Sequence, residues 1–160
     1  MLKIYVDADA CPVKEETERV AKRYQLSITY VANCQMRLPE SENSKLIVVE
    51  GNPNAADDWI AEHVEADDIV VTGDIPLAYR CIQKGAKVLG NSGKDFTDEN
   101  IGHLLATRDL MADLRAEGTI TGGGPPPFQK QDRSRFLHAL DQTIQTIRRK
   151  GNPGNFKSSS

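Results

Sequence analysis

Short apolar runs alternate with longer amphipathic segments along most of the chain. The apolar runs are rich in β-branched residues and predict five strands, at 2–6, 27–32, 46–49, 69–72 and 86–89. The segments around them carry apolar residues at helical spacing and predict helices that begin near positions 12, 54, 74, 97 and 132. We therefore expect an α/β protein of three layers, with helices on both faces of a mainly parallel five-stranded sheet and a C-terminal helical extension.

Local signals mark the beginnings of several helices. Asp74 suits the N-cap of the third predicted helix, and Pro76 suits its first turn, where a missing N–H costs nothing. Asn54 and Asp132 are suited to cap the second and the last helix, and Thr97 precedes the fourth. Each of these positions follows a predicted strand or connection, so strands and helices are expected to alternate along the chain.

The length of 160 residues fits one domain rather than two. We expect an α/β domain at 1–117, a Gly/Pro-rich connection at 118–131, a helix at 132–150 that packs on the same domain, and a disordered tail at 151–160. The connection is predicted because three glycines followed by three prolines cannot form regular structure.

Composition narrows the class of protein. Hydrophobic residues make up 39% of the chain and charged residues 27%, which is ordinary for a soluble globular domain. No apolar run reaches the roughly 18 residues of a membrane span, and the three cysteines lack paired zinc-type spacing. We expect a cytoplasmic protein with reduced thiols and no membrane partner.

Charge is distributed unevenly around a net value of −3. Residues 130–157 carry seven Lys or Arg against two Asp, so this end is basic and the rest of the chain is acidic. A basic end can bind polyanions and an acidic body can bind cations, although a solvated helix explains the basic end equally well.

Acidic residues follow four of the predicted strands. In a mainly parallel sheet the carboxyl ends of the strands share one edge, and ligands bind in the crevice there. The residues expected at this edge are Asp7, Asp9, Asp57, Asp58, Asp74, Asn91 and Asp95. Hard oxygen ligands without nearby cationic partners suit Mg²⁺ or Mn²⁺. Each Asp taken alone is equally explained as a helix cap, and Asp74 is the clearest case of that explanation.

Five separated sequence blocks carry a resemblance to a known family. They are VDADACPVK, AADDWI, VVTGDIPLA, ATRDLMADLR and GGGPPPFQKQDRSRFLHALD. Together they resemble the YaiI/YqxD family of bacterial proteins, over about residues 1–150. That family is similar in turn to PIN-like domains, which are metal-dependent nucleases with a parallel sheet and an acidic cluster. The resemblance implies a PIN-like fold and a nuclease active site.

The PIN-like resemblance also assigns residues. Asp7 fits the strand-one acid, Asp57 the first-helix acid, and Thr72 with Asp74 the T-x-D element after the fourth strand. Asn91 stands roughly where a fourth acid is often found, and Asp95 is its possible substitute. Asp9 and Asp58 are additional to the minimal pattern.

The resulting hypothesis is divalent-metal-dependent hydrolysis of phosphodiesters, with RNA a better candidate than DNA. Asp7, Asp57 and Asp74 would hold one Mg²⁺ or Mn²⁺, while Asp9 would orient the attacking water or join a second ion. The predicted catalytic residues are Asp7, Asp9, Asp57 and Asp74, and the predicted metal ligands add Asp58 and Asp95. Thr72, Asn91, Arg37 and Lys94 are the predicted contacts to substrate.

Two other functions remain open from the sequence. A haloacid-dehalogenase-like phosphatase would use Asp7 as a nucleophile, but Cys11 and Asn33 stand where that class usually has other residues. A non-catalytic module that binds nucleic acid or a protein partner would retain a vestigial metal site. The amide of Asn91, in place of a carboxylate, favours this second alternative.

Overall fold

The computed structural model describes residues 2–118 and 127–150. Most of the predicted Gly/Pro connection and the whole predicted tail lie outside these ranges. The strands are β1 (Ile4–Asp7), β2 (Ile28–Ala32), β3 (Ser44–Val48), β4 (Ile69–Val71), β5 (Lys87–Leu89) and β6 (Asp95–Phe96). The helices are α1 (Lys14–Tyr24), α2 (Ala55–His63), α3 (Ile75–Gln83), α4 (Asp98–Ala116) and α5 (Lys130–Lys150), and a single 3₁₀ turn follows β1 at Ala8–Ala10.

The strands of the described residues form one sheet in the order β3-β2-β1-β4-β5-β6. All neighbouring pairs are parallel except β5 and β6, which are antiparallel. The expected α/β class and mainly parallel sheet are confirmed, but the prediction of five strands is wrong. The sixth strand has two residues and follows a tight turn that brings the chain back alongside β5. This turn is closed by a hydrogen bond that Gly90 N–H donates to Lys94 O at 2.8 Å. Two residues are too few to show the alternation that predicts a strand.

Helices cover both faces of the sheet. Ile4 and Val6 of β1 point to one face, where they pack with α1 and with Phe136 and Leu140 of α5. Tyr5 points to the other face, where α2, α3 and α4 cover the sheet. The alternation of side chains along a strand therefore gives each face its own apolar core, and the three-layer arrangement follows.

The local signals for helix beginnings are largely confirmed. The Asp74 side chain accepts from Leu77 N–H at 3.0 Å and Pro76 lies in the first turn of α3. Thr97 and Asn100 form a reciprocal capping box at the start of α4. Asn54 occupies the N-cap of α2 without a side-chain hydrogen bond. The last helix begins at Lys130, two residues before the expected cap, and Asp132 Oδ2 accepts from Gln129 N–H at 2.9 Å.

The C-terminal helix lies beside α1. Near its start, Arg133 Nη1 donates to Pro12 O at 2.5 Å, in the loop that follows β1. Near its middle, Asp141 accepts from Tyr24 Oη at 2.7 Å. The first turns of α5 are thereby placed at the carboxyl edge of the sheet.

The strand order reverses between β1 and β4, because β2 and β3 lie on one side of β1 and β4 to β6 on the other. Such a switch point opens a crevice at the carboxyl ends of the two strands, and this is where ligands bind in open α/β sheets. No helix of the described residues is long and apolar enough to cross a membrane.

Candidate active site

A chain of hydrogen bonds joins the ends of β1 and β4 at the switch point. The Thr72 hydroxyl donates to Asp7 Oδ2 at 2.9 Å, and Thr72 Oγ1 accepts from the backbone N–H of Asp74 at 3.0 Å. Thr72 is 1% exposed, so its hydroxyl is shielded from water. These contacts fix the Asp7 carboxylate and the start of α3 relative to each other.

Asp57 joins this pair from the first turn of α2. Both residues line the same cleft, and the Asp74 side chain is near enough to accept a hydrogen bond from Asp57 when that carboxyl is protonated. Burial, the negative charges of Asp74 and Asp7, and that hydrogen bond raise the pKa of Asp57 to about 6. Burial also raises the pKa of Asp7, against the opposing effect of the Thr72 hydroxyl, and the charges of Asp74 and Asp9 raise it further. The fold thus places the charge of Asp74 where it disfavours the ionisation of both Asp57 and Asp7.

Positive charge close to these three acids is sparse. None of the ion pairs in residues 2–118 and 127–150 involves Asp7, Asp57 or Asp74. Arg80 is near enough to lower the pKa of Asp57, but this effect is smaller than those that raise it. An all-carboxylate donor set without a paired cation fits a hard divalent ion.

The acids do not form a ready-made metal cage. Within the described residues, no group of three or more His, Cys, Asp or Glu side chains is arranged closely enough to hold a metal ion. Carboxylate oxygens are suitable ligands for Mg²⁺ or Mn²⁺. To complete a coordination sphere, however, these side chains would have to move closer together. Mg²⁺ commonly accepts such sites, because it keeps several waters and uses one or two carboxylates.

The other predicted acids have partners of their own. Asp9 is exposed, and its two carboxylate oxygens accept from Asn33 N–H at 2.9 and 3.2 Å. Asp58 Oδ1 lies 2.7 Å from Arg80 Nη1. Asp95 lies on β6 rather than in a loop, where burial raises its pKa and the charge of Lys87 opposes that shift.

Asn91 lies between the loops that follow β1 and β4. Its Nδ2 donates to Ala10 O at 3.4 Å, and a Cβ on Gly73 would come within 3.5 Å of that nitrogen. Its Oδ1 is buried and accepts no hydrogen bond from the described residues. Asn91 therefore carries an unused acceptor beside the loops that follow β1 and β4.

The predicted basic contacts lie on the same edge but outside the main cleft. Arg37 is exposed in the loop after β2, and Lys94 is exposed in the turn between β5 and β6. A cleft of about 470 Å³ lies beside Asp57 and Asp74, and its cations are Arg80 and Arg108.

Sequence reasoning missed both arginines of this cleft. Arg80 could have been found from the helical spacing of α3, because it follows Pro76 by four residues and so shares its face. Arg108 belongs to α4 and approaches the cleft only through tertiary packing of α4 on α3, for which the sequence offers no local signal.

The protein is an open α/β protein with a mostly parallel sheet, and several acidic residues lie where the strand order reverses. Residues 5–146 match the family model described as "Uncharacterized BCR, YaiI/YqxD family". The chain belongs to the YaiI/YqxD family, as its sequence blocks indicated.

Full-length relatives support this membership. The UPF0178 protein of Rhodospirillum centenum is 56% identical over 153 residues, which cover 93% of this chain and 99% of that protein. The UPF0178 protein of Parvibaculum lavamentivorans is 53% identical over 153 residues, covering 96% and 100% respectively. No solved structure matches the chain significantly.

Proposed function

We propose that this protein is a divalent-metal-dependent nuclease of PIN-like type that hydrolyses phosphodiester bonds, with RNA as its expected substrate. One observation carries the proposal: burial and the charges of Asp74 and Asp7 raise the pKa of Asp57 to about 6, and none of these three acids forms an ion pair among the described residues. Such mutual repulsion is costly without a cation, and a metal bridging to a phosphate relieves it.

The chain's own residues would divide the work as follows. Asp7, Asp57 and Asp74 bind the ion, and Thr72 holds Asp7 through its 2.9 Å hydrogen bond. Asn91 Oδ1, which is buried and accepts no hydrogen bond from the described residues, is available to a bound water. A bound Mg²⁺ or Mn²⁺ would supply a water of lowered pKa and stabilise negative charge on the phosphate.

Roles for the remaining acids follow from their contacts. Asp9 supports the site indirectly, because its carboxylate orders the backbone after β2 at Asn33. Asp58 neutralises Arg80 at the lip of the cleft. Asp95 interacts with charges at Lys87 and Glu99 rather than with the switch-point acids.

A second candidate function is a binding module without catalysis. It is favoured by the absence, among the described residues, of three acids close enough to form a ready-made metal cage, and by an amide at Asn91. Such a module would bind nucleic acid at the same edge and leave it intact.

Cleavage assays separate these functions. Labelled RNA and DNA oligonucleotides are incubated with Mn²⁺, Mg²⁺ or a chelator, using wild type, Asp74→Asn and the control Asp98→Asn. Asn caps a helix about as well as Asp, so Asp74→Asn keeps the start of α3. Asp98 is an exposed acid in the first turn of α4.

The nuclease proposal predicts metal-dependent cleavage of RNA that falls by more than about 100-fold in Asp74→Asn, beyond the 10–100-fold typical of a residue that only supports a ligand. Asp98→Asn should match wild type. Identical background cleavage in all three proteins, with RNA binding intact, would instead establish the binding module. A phosphorylated Asp7 trapped by mass spectrometry would point to the phosphatase chemistry.

A further inference from the structure

The cleft beside the switch-point acids is lined by both acidic and basic side chains. Asp57 and Asp74 line it together with Arg80 of α3 and Arg108 of α4. Its volume of about 470 Å³ is within the range of small-molecule sites, which span about 300–1,000 Å³. A ligand that fills this space must offer oxygen atoms to both a metal and two guanidinium groups.

We propose that Arg80 and Arg108 bind the phosphate next to the one that is cleaved, so that a substrate with at least two successive phosphodiesters binds more tightly than one with a single phosphodiester. The inference rests on the proposed function and makes a polynucleotide strand the preferred substrate class. Guanidinium groups suit this role because they donate paired hydrogen bonds to phosphate oxygens.

Both arginines can reach a phosphate at little cost. Arg80 lies 2.7 Å from Asp58, but the two side chains are 44% and 45% exposed, and ion pairs so open to solvent contribute little stability. Asp58 therefore holds the guanidinium at the lip of the cleft until a phosphate replaces it. Arg108 Nη1 lies 3.5 Å from Asp109, its sequence neighbour, in a contact that is also exposed.

This arrangement gives Asp58 a role different from that of Asp57. The two carboxylates are adjacent in sequence, yet Asp57 contacts Asp74 while Asp58 contacts Arg80. Asp58 is a positioning residue for the phosphate-binding arginine.

The test compares two substrates that differ in the neighbouring phosphate. An RNA oligonucleotide has it, whereas bis(p-nitrophenyl) phosphate has a single phosphodiester. The variants are Arg108→Gln and Arg80→Gln, and the control is Arg19→Gln, which removes an exposed arginine from α1 on the opposite face of the sheet. Arg108→Gln is the sharper variant, because Arg80 also lowers the pKa of Asp57.

With RNA we expect KM to rise about tenfold in Arg108→Gln, with kcat within about twofold of wild type. With bis(p-nitrophenyl) phosphate both constants should be unchanged. If the loss were equal for both substrates, the arginine would act on the acids or on the fold, and the inference would be wrong.

Binding provides a readout that does not depend on activity. The affinity of a fluorescein-labelled single-stranded RNA of about 12 nucleotides is measured by anisotropy at several salt concentrations, with Ca²⁺ as the divalent ion. Each lost phosphate contact should reduce the slope of log K against log salt by about 0.7. Slopes and affinities equal to those of Arg19→Gln would overturn the inference.

The two levels of the proposal fail in different ways. If wild type binds and cleaves RNA while the arginine variants behave like Arg19→Gln, only the neighbouring-phosphate site is refuted. If wild type neither binds nor cleaves any nucleic acid, the nuclease function and this inference are refuted together.

Discussion

Two groups of acids at the carboxyl edge look alike in sequence and differ in their surroundings. The inner acids, Asp7, Asp57 and Asp74, are close enough for the charge of Asp74 to raise the pKa of the other two, and Thr72 links the Asp7 carboxylate to the Asp74 backbone N–H. The outer acids, Asp9, Asp58 and Asp95, interact with a backbone N–H, an arginine and a lysine respectively. Asp7 and Asp74 follow β1 and β4, between which the strand order reverses, and Asp57 is close enough to both for their charges to raise its pKa.

The difference between the groups shows that a carboxylate's neighbours decide its chemistry. Asp58 has an arginine beside it, and a paired cation stabilises the ionised form of a carboxylate. An acid that faces other acids gains most from a metal ion.

The adjacent pair Asp57 and Asp58 gives the largest expected contrast. Asp57→Asn should reduce Mn²⁺-dependent RNA cleavage by more than about 100-fold, because it removes a metal ligand. Asp58→Asn should leave kcat within about threefold of wild type, because it only releases Arg80. Steady-state kinetics on the two variants checks this. Equal losses would place Asp58 among the metal ligands and remove the distinction between inner and outer acids.

Removing the Thr72 hydroxyl should disturb the inner group without removing a charge. Thr72→Val leaves the Asp74 N–H without its acceptor and Asp7 without its donor, so we expect a loss of about 1–3 kcal/mol in the free energy of unfolding. Cleavage should fall about 10–100-fold, as for residues that orient a ligand. Urea unfolding and kinetics test both effects. Thr72→Ser keeps the hydroxyl, so it should recover most of the lost stability and most of the lost cleavage activity. If Thr72→Ser were as impaired as Thr72→Val, packing of the methyl group would be responsible instead of the hydroxyl.

Stability of the metal-free protein should depend on pH through Asp57. Its folded-state pKa of about 6 exceeds its ordinary value of 3.8, so the folded state binds more protons and loses stability as pH rises between these values. The full shift corresponds to roughly 3 kcal/mol, which solvent screening of this partly exposed group reduces to about 1 kcal/mol.

Asp57→Asn tests that pH dependence directly. In a chelator at about pH 7.5 the variant should be more stable than wild type by about 1 kcal/mol, and the difference should shrink as pH falls toward about 4. Urea titrations across this range measure it. A wild type that is as stable as the variant at every pH would contradict the repulsion among the inner acids.

Asp9→Asn should have the smallest effect. The amide still offers one oxygen to Asn33 N–H, so we expect less than about 1 kcal/mol of lost stability and cleavage within several-fold of wild type. The matching change Asp7→Asn should remove metal-dependent cleavage. If Asp9→Asn were as damaging as Asp7→Asn, Asp9 would belong to the inner group.

The sequence was informative wherever local chemistry decides structure. The cap at Asp74, the turn at Pro76 and the buried run of β4 were all predicted from neighbouring residues. The meeting of Asp7 with Thr72, 65 residues apart, followed from the expected parallel sheet. Regular topology can thus place distant residues on one edge.

Prediction failed where tertiary packing decides. The strand β6 has two residues, too few for a pattern, and pairs only because a turn returns it to β5. Asp57 and Asp58 have identical side chains, and only the packing of α3 against α2 gives one an arginine and the other a carboxylate. Arg108 lies on α4, about 50 residues after Asp58, and reaches the cleft through tertiary packing. Local periodicity in the sequence does not reveal such a contact.

The most direct test of the account is a crystal structure of the protein soaked with Mn²⁺, with the ion located by its anomalous scattering. We predict an ion bound by carboxylate oxygens of Asp7, Asp57 and Asp74, with Asp58 still paired to Arg80 and Asp9 still bound to Asn33 N–H. An ion held instead by Asp9, Asp58 or Asp95, or no ion at the switch point under conditions where Mn²⁺ supports cleavage, would contradict it.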